Sequence, residues 1–276
     1  MKKSVSRWFG VLAIGLLSIG NVLGAEPSEM TNERERQAWI SGSLLDFQYR
    51  EFSGGRELDR EDGTLPGIAG GIDFRVRRWV FGFEGSLYAG TADYDGETNI
   101  TRIPVKTDTD ETIFNVAGRA EYWFGESGEP WWALYGLVGY RYWERDIQST
   151  STASGGREEY YWLYLGAGAK GYFAKTTKQK WMWDVRTNLP INPKIYIDDL
   201  DEELDLGAKP GYRFAVSWQY AYSERMNILI EPYYETWDIG KSNSIYVTDG
   251  VNVYKVYEPD SETRNTGLNI GVRWTF

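Results

Sequence analysis

Apolar and polar residues alternate strictly along many segments of the chain, which is the pattern of a β-strand with two different faces. The C-terminal segment shows it most clearly, because every second position from Leu268 to Phe276 is apolar or aromatic and the positions between are small, polar or cationic. The segment from Tyr212 to Tyr222 repeats the pattern. Each segment therefore predicts a strand whose two sides meet different surroundings.

The same pattern, applied throughout, predicts ten strands. They lie at 39–52, 67–77, 79–91, 111–124, 131–145, 159–173, 181–190, 211–222, 226–238 and 264–276. In the first strand we assign Leu45, Phe47 and Tyr49 to the outer side. Pro232 argues against a fully regular ninth strand, since proline removes a hydrogen bond from the ladder.

The connections between the predicted strands alternate between long and short. The long ones are 53–66, 92–110, 146–158, 191–210 and 239–263, and the short ones are 78, 125–130, 174–180 and 223–225. Outer-membrane barrels have short periplasmic turns and longer extracellular loops. The sequence therefore predicts an all-β fold, an antiparallel up-and-down transmembrane β-barrel of about ten strands with five long extracellular loops.

The N-terminus has the features of a secretory signal peptide. Lys2, Lys3 and Arg7 precede an uncharged run from Trp8 to Gly24, and small residues follow. We predict a signal peptide at 1–24, with cleavage after Gly24 or Ala25, a periplasmic tail at 25–38 and the barrel at 39–276. No later apolar run is long enough for a transmembrane helix.

The composition supports a barrel in a membrane and argues against one class of partner. The chain holds 13 Trp and 20 Tyr although its mean hydropathy is −0.49, and aromatic residues gather at the interfaces of membrane barrels. Its net charge of −10 comes without a basic cluster, which argues against nucleic acid as a partner. Outer-membrane lipid and lipopolysaccharide are the expected partners, and we expect a monomer. Cysteine is absent, so disulfides are excluded.

The last residues, Trp274, Thr275 and Phe276, resemble the terminal strand of bacterial outer-membrane β-barrel proteins. That resemblance implies that Trp274 and Phe276 form the signal read by the barrel assembly machinery. The strand count resembles that of the omptin proteases, but the chain has no histidine, and omptins use an Asp–His pair. Histidine is also the usual general base near neutral pH. We therefore predict that the protein is not an enzyme.

Charged residues on the predicted lumen side are both acidic and basic. Isolated charges are costly in a poorly hydrated interior, so we interpret them as an ion-pair network rather than as a catalytic acid pair. The predicted network comprises Asp46, Arg50, Asp73, Arg75, Glu84, Arg119, Glu121, Arg141, Lys170, Asp184, Arg186, Arg213, Glu231, Glu235 and Arg273.

One predicted loop is strongly acidic. Its carboxylates are weak candidates for divalent cations, with a solvated charge run as the simpler interpretation; they are Asp198, Asp199, Asp201, Glu202, Glu203 and Asp205. No cofactor is expected otherwise.

Barrel width limits the function. About eight strands leave an interior just filled by side chains, whereas 16–18 leave an aqueous channel. We predict a largely plugged barrel with a structural or surface-interaction role. A narrow small-solute channel, a carboxylate-dependent hydrolase and a soluble lipocalin-like barrel are the alternatives.

Overall fold

The computed structural model describes residues 34–98, 101–126, 129–248 and 250–276, with the backbone alone at 126, 129 and 130. The predicted signal peptide and most of the predicted tail lie outside the described residues. The first strand begins at Arg34, so residues 34–38 belong to the barrel and not to the tail.

Strands make up most of the described chain. Their bounds are β1 Arg34–Ser53, β2 Arg56–Val76, β3 Trp79–Glu97, β4 Pro104–Glu126, β5 Glu129–Ile147, β6 Gly156–Lys175, β7 Gln179–Ile197, β8 Glu202–Asp205, β9 Gly207–Ala208, β10 Gly211–Ala221, β11 Met226–Gly240, β12 Ile245–Thr248, β13 Val253–Val256 and β14 Asp260–Thr275. One turn of 3-10 helix lies at Asp198–Leu200. Among the described residues, no helix is long and apolar enough to cross a membrane.

Ten of these strands form a closed antiparallel barrel, which confirms the predicted fold. Strands β1 to β7 pair in sequence order, and β10, β11 and β14 complete the ring. The ring closes where β7 pairs with β10 and where β14 pairs with β1. All ten predicted strands correspond to one barrel strand each.

The first seven strands contain 19–23 residues each, whereas about 9–11 residues suffice to span a bilayer. An exposed apolar belt runs around the barrel and covers the half of its height in which β1 begins. Its most exposed members include Ile40, Leu44, Ile68, Phe83, Val138, Leu163, Leu165, Leu189, Phe214 and Ile270. The belt ends near Leu44 on β1, Pro66 on β2, Phe114 on β4 and Tyr142 on β5, beyond which outward residues are polar. The membrane-spanning segments are the parts of the strands within this belt.

The predicted orientation of β1, which put Leu45 and every second residue on the outer side, is wrong throughout the strand. Leu45, Phe47 and Tyr49 are buried inside the barrel, and Asp46 and Arg50 are exposed on its outer side. Asp46 and Arg50 are therefore not members of the lumen network. The reason is physical, because this part of β1 lies above the apolar belt, where water surrounds the wall and the interior is the apolar side.

The long connections are shorter than predicted because the strands continue through them. Between β1 and β2 only Gly54 and Gly55 form the turn, both with φ values in the left-handed region, and most of the predicted loop 53–66 is strand. The predicted loop 239–263 contains the β12–β13 hairpin. These segments were missed because their outward residues are polar and lack the lipid-facing signature.

Pro232 has the local effect that was predicted. The β10–β11 ladder pairs Ala215 with Tyr233 and resumes at Trp218 and Ile230, skipping the positions opposite Pro232. On the other side, Pro232 pairs with Leu268 of β14. The proline interrupts one ladder without ending the strand.

Candidate functional site: the barrel interior

The membrane half of the interior contains a cavity of about 450 Å³. Its walls include Arg119, Arg186, Arg213 and Glu84, and its lining extends to Lys178 and Glu224 beside the turns at the end of the barrel where β1 begins and β14 ends. Short turns mark the periplasmic end of an outer-membrane barrel. The cavity therefore lies toward the periplasm.

Arg119 on β4 joins three neighbouring strands. Its guanidinium group donates hydrogen bonds to Asp73 on β2, Glu84 on β3 and Glu121 on β4. Lys170 is paired with Glu121 as well. Because each of the three guanidinium nitrogens of this buried group faces a carboxylate, the cost of removing the charges from water is offset by direct pairing.

A second set of ion pairs involves β10 and β11 on the opposite wall, with Arg141 reaching Glu235 of β11 from β5. Arg213 donates to Glu231 at 2.7 Å and Arg141 to Glu235 at 2.6 Å. The remaining predicted network residues are also in contact with polar or aromatic partners. Arg186 donates to Glu84, Arg273 to Asp73 and Tyr135 to Asp184, while Arg75 lies near Glu35 and over the ring of Trp123. Thirteen of the fifteen predicted residues thus face the interior, and Asp46 and Arg50 do not.

Above the cavity the interior is occupied by large buried side chains. Leu45, Phe47, Leu65, Trp143 and Tyr160 are essentially without solvent exposure. Trp143 stacks on Tyr160 with ring centroids 4.5 Å apart and contacts Phe47 edge to face at 5.9 Å. We call these five residues the aromatic layer.

A buried cluster of carboxyl groups surrounds Arg145 next to the aromatic layer. Its guanidinium donates to Glu61 at 2.8 Å, to Glu158 at 2.8 Å and to Glu51 at 3.1 Å. It also lies 4.3 Å over the ring of Tyr49. Three further acids lie in this region: Glu111 accepts from Trp143, Glu258 from Tyr160 and Asp59 from Tyr94. We call Arg145 and these six acids the Arg145 cluster.

The Arg145 cluster lies outside the membrane-spanning segments, because the outward neighbours at its level are Asp110, Glu144 and Asp146. Six acids facing one cation cannot all be ionised cheaply. Burial and the charge of Glu61 raise the pKa of Glu111 well above its ordinary value. Burial and the charges of Glu51 and Glu158 do the same to the pKa of Glu258.

Glu61 behaves in the opposite way. Burial alone would raise its pKa, but Arg145 and hydrogen bonds from Glu111, Arg145 and Thr109 outweigh burial, so the pKa of Glu61 is lowered. The opposite directions of the two pKa shifts favour the ionised form of Glu61 and the protonated form of Glu111 within one hydrogen-bonded carboxyl pair. Both side chains are fully buried, so the pair is enclosed by protein rather than facing an open cleft.

Sequence reasoning missed the Arg145 cluster. Glu51 and Arg145 fell at the ends of predicted strands, and Asp59, Glu61, Glu158 and Glu258 fell in predicted loops. A signal was present, since Asp59 and Glu61 continue the inward positions of β2. Because both faces of these strand extensions carry polar residues, the alternation of apolar and polar residues did not identify them as strands.

The acidic loop does not assemble a metal site. Asp198 and Asp199 lie in the 3-10 turn, Lys194 pairs with Glu203 and lies 3.5 Å from Asp205, and Tyr196 donates to Asp201. In the described part of the chain, no group of three potential ligands could hold a metal ion. The weak metal candidates at 198–205 are therefore not brought together.

The C-terminal residues lie on the periplasmic rim. Phe276 donates its backbone N–H to the carbonyl of Arg36 at 2.9 Å, and its side chain is exposed, as is that of Trp274. Their reading by the assembly machinery remains a prediction.

Comparisons with known proteins identify the fold. No family model and no curated protein matches the chain. The chain is similar to the crystal structure of the outer membrane protease OmpT from Escherichia coli, with a TM-score of 0.58 and 12% identity over 91% of this chain and 99% of that one. The chain has the fold of an outer-membrane β-barrel. It also matches the outer membrane protein OprG from Pseudomonas aeruginosa, with a TM-score of 0.42 and 10% identity over 89% of this chain and 97% of that one. At such identities the likeness to OmpT is one of fold alone.

Proposed function

We propose that this outer-membrane barrel is a non-conducting, non-enzymatic protein that raises a contact surface above the lipopolysaccharide-bearing face of the membrane. The aromatic layer is the observation that supports it. Leu45 and Phe47 come from β1, Leu65 from β2, Trp143 from β5 and Tyr160 from β6, so side chains from two separate arcs of the wall meet in the interior. A hydrated path for ions would have to pass this layer.

A non-enzymatic role rests on the state of the carboxyl groups. Asp73, Glu84, Glu121, Glu231 and Glu235 each form an ion pair with arginine or lysine, so each of these carboxyl groups is already engaged by a cation of the barrel wall. Glu61 and Glu111 form a carboxyl pair, but both are fully buried. A glycosidase-type pair needs room for substrate between its two carboxyl groups.

The contact surface is supported by the exposed β12–β13 hairpin. Tyr246 is 71% exposed and Val253 is 70% exposed, and the register of the hairpin places both on one face, where exposed apolar side chains that lie together favour an interaction. The wall beneath the hairpin carries polar outward residues, so these side chains stand apart from the lipid belt. Contacts with apolar surfaces outside the cell are the interaction that they favour.

Planar-bilayer conductance tests the closed lumen. The wild-type protein should insert without discrete current steps, and a Phe47→Ala/Trp143→Ala variant should give steps because it removes two rings from the layer. Folding of both proteins is checked by the gel-mobility difference between heated and unheated samples. Regular open-channel currents from the wild type would replace this proposal with the small-solute channel.

Adhesion of producing cells to hexadecane droplets tests the contact surface. Cells with the wild-type barrel should adhere more than cells with a Tyr246→Ser/Val253→Ser variant at equal surface levels. A Thr248→Ser variant on the same hairpin is the matched control. Equal adhesion of all three would refute the role proposed for the hairpin.

A further inference from the structure

Seven cationic residues lie on or beside the periplasmic rim of the barrel. All seven are exposed: Arg34, Arg36, Arg77, Arg78, Lys175, Lys178 and Arg225. We call them the rim cations. The salt bridges of this end involve the interior residues Arg75 and Arg273, and none of the rim cations forms one with a described residue.

The rim cations follow the circumference of the barrel. Arg34 and Arg36 begin β1, Arg77 and Arg78 form the β2–β3 turn, Lys175 and Lys178 flank the β6–β7 turn and Arg225 lies in the β10–β11 turn. Since β7 pairs with β10 and β14 with both β11 and β1, these positions form one continuous arc. The arc omits the β4–β5 connection, whose sequence contains Glu126 and Glu129 instead.

Exposed aromatic residues lie within three residues of rim cations, on the membrane side. Trp79 follows Arg78, Phe173 precedes Lys175, Trp181 follows Lys178 and Tyr222 precedes Arg225. Aromatic side chains of this kind occupy the interface of a bilayer. Arginine and lysine just beyond them therefore reach the phosphate level of the lipid headgroups.

We propose that the rim cations bind the headgroups of anionic phospholipids, of the phosphatidylglycerol type, in the leaflet at the periplasmic end. An arc around the wall matches an annulus of lipids, whereas a protein partner would require one contiguous patch. Guanidinium groups bind phosphate through paired hydrogen bonds, and each cation near an anionic bilayer adds attraction. The opposite end of the barrel carries mainly acids, such as Asp46, Asp62, Asp93 and Asp110, and we expect no binding of anionic lipid headgroups there.

Quenching of tryptophan fluorescence by brominated lipids tests the proposal. The full-length protein is reconstituted in vesicles of phosphatidylcholine that contain either brominated phosphatidylglycerol or brominated phosphatidylcholine at equal fraction. Trp79 and Trp181 lie beside the rim cations and report on the lipids there. We expect brominated phosphatidylglycerol to associate about twofold or more tightly than brominated phosphatidylcholine at low salt, and the difference to shrink in concentrated salt.

Two charge-matched variants locate the effect. An Arg77→Gln/Arg78→Gln/Arg225→Gln variant should lose most of the preference, and an Arg50→Gln/Arg60→Gln/Lys106→Gln variant, altered at the acidic end, should keep it. Both are checked for folding by gel mobility. Equal quenching by the two lipids in the wild type would overturn the proposal, and so would equal loss in both variants. Binding of soluble polyglutamate by the detergent-solubilised wild type, without a lipid preference in vesicles, would assign the arc to an acidic macromolecule instead.

Discussion

At the scale of single residues, the interior is organised around two arginines with different surroundings. Arg119 lies in the membrane half among three carboxylates, and each of these also pairs with a second cation, from Lys170, Arg186 or Arg273. Arg145 lies above the membrane among six acids. The first site is a set of ion pairs, whereas the second depends on protonation of part of its carboxyl groups.

Arg145→Met should strongly destabilise the upper barrel. The substitution keeps most of the side-chain volume but leaves Glu61, Glu158 and Glu51 without their cation, and breaking a buried pair in this way costs about 3–5 kcal/mol. Arg50→Met is the control, because Arg50 is exposed and its contact with Glu57 is a 3.7 Å surface pair that should contribute about 0–1 kcal/mol. Denaturant unfolding in detergent at pH 7 measures both, and equal losses would show that Arg50 and Arg145 have the same environment.

Glu111→Gln should remove part of the pH dependence of stability. The pKa of Glu111 is raised in the folded protein, so its contribution is present below the ordinary value of 4.5 and is lost as pH rises through the folded pKa. Glutamine can still accept from Trp143 and can donate to Glu61 without a proton from solvent. The variant should therefore match the wild type near pH 4 and exceed it at pH 8, by about 1.4 kcal/mol for each unit of pKa shift.

The temperature at which the folded gel band is lost, measured from pH 4 to pH 9, checks this expectation. Asp62→Asn, on the exposed side of β2, is the control and should follow the wild-type curve. A wild type that becomes more stable toward pH 8 by more than the variant does would contradict the assignment of Glu111 as the protonated partner.

At the scale of strands, the sequence predicts the membrane part of the wall well and the part above it poorly. Within the belt, outward residues such as Phe83 and Leu165 are apolar and the interior is charged, so alternation identifies both the strand and its orientation. Above the belt the outer side is polar and the inner side is mixed, as Phe47, Trp143 and Glu61 show. Alternation there is either reversed or lost.

Strand β1 passes from the apolar belt to the part of the wall above it at two consecutive residues. Leu44 is 51% exposed to the lipid side and Leu45 is 2% exposed inside. Two adjacent leucines give no indication of which faces lipid, and the run Leu45, Phe47 and Tyr49 resembles a lipid-facing series. The thirteen network residues on other strands were placed inward correctly because their apolar neighbours lie within the belt. A rule that always places the apolar residues on the outer side cannot describe a strand that passes from lipid into water.

Site-directed spin labels test the orientation of β1 directly. The chain has no cysteine, so Leu44→Cys and Leu45→Cys each provide one labelling site. In vesicles, a label at 44 should be accessible to oxygen, which concentrates in the acyl region, and protected from a water-soluble nickel reagent. A label at 45 should be immobile and poorly accessible to both. Oxygen accessibility at 45 equal to that at 44 would restore the original orientation.

At the scale of the whole molecule, the barrel combines two kinds of protein interior along one axis. The membrane half has an apolar outside and a charged inside with a cavity, and the upper half has a polar outside with the aromatic layer and the Arg145 cluster within. The reversal follows from the solvent, because lipid surrounds the first half and water the second. The cavity is consequently expected to be hydrated and to end at the aromatic layer.

Thiol modification of single cysteines on the inner wall tests where the cavity ends. Ser217 on β10 lines the cavity, and Thr263 on β14 is buried among the side chains above it. Cysteine is close in size to both residues, so neither Ser217→Cys nor Thr263→Cys should disturb the wall. A small neutral methanethiosulfonate should modify position 217 rapidly in the folded barrel and should leave position 263 unmodified until the barrel is denatured, after which both should react at similar rates. Similar rates in the folded protein would mean that water passes the aromatic layer. The closed lumen would then have to be abandoned, and with it the expectation that the wild-type protein gives no current steps.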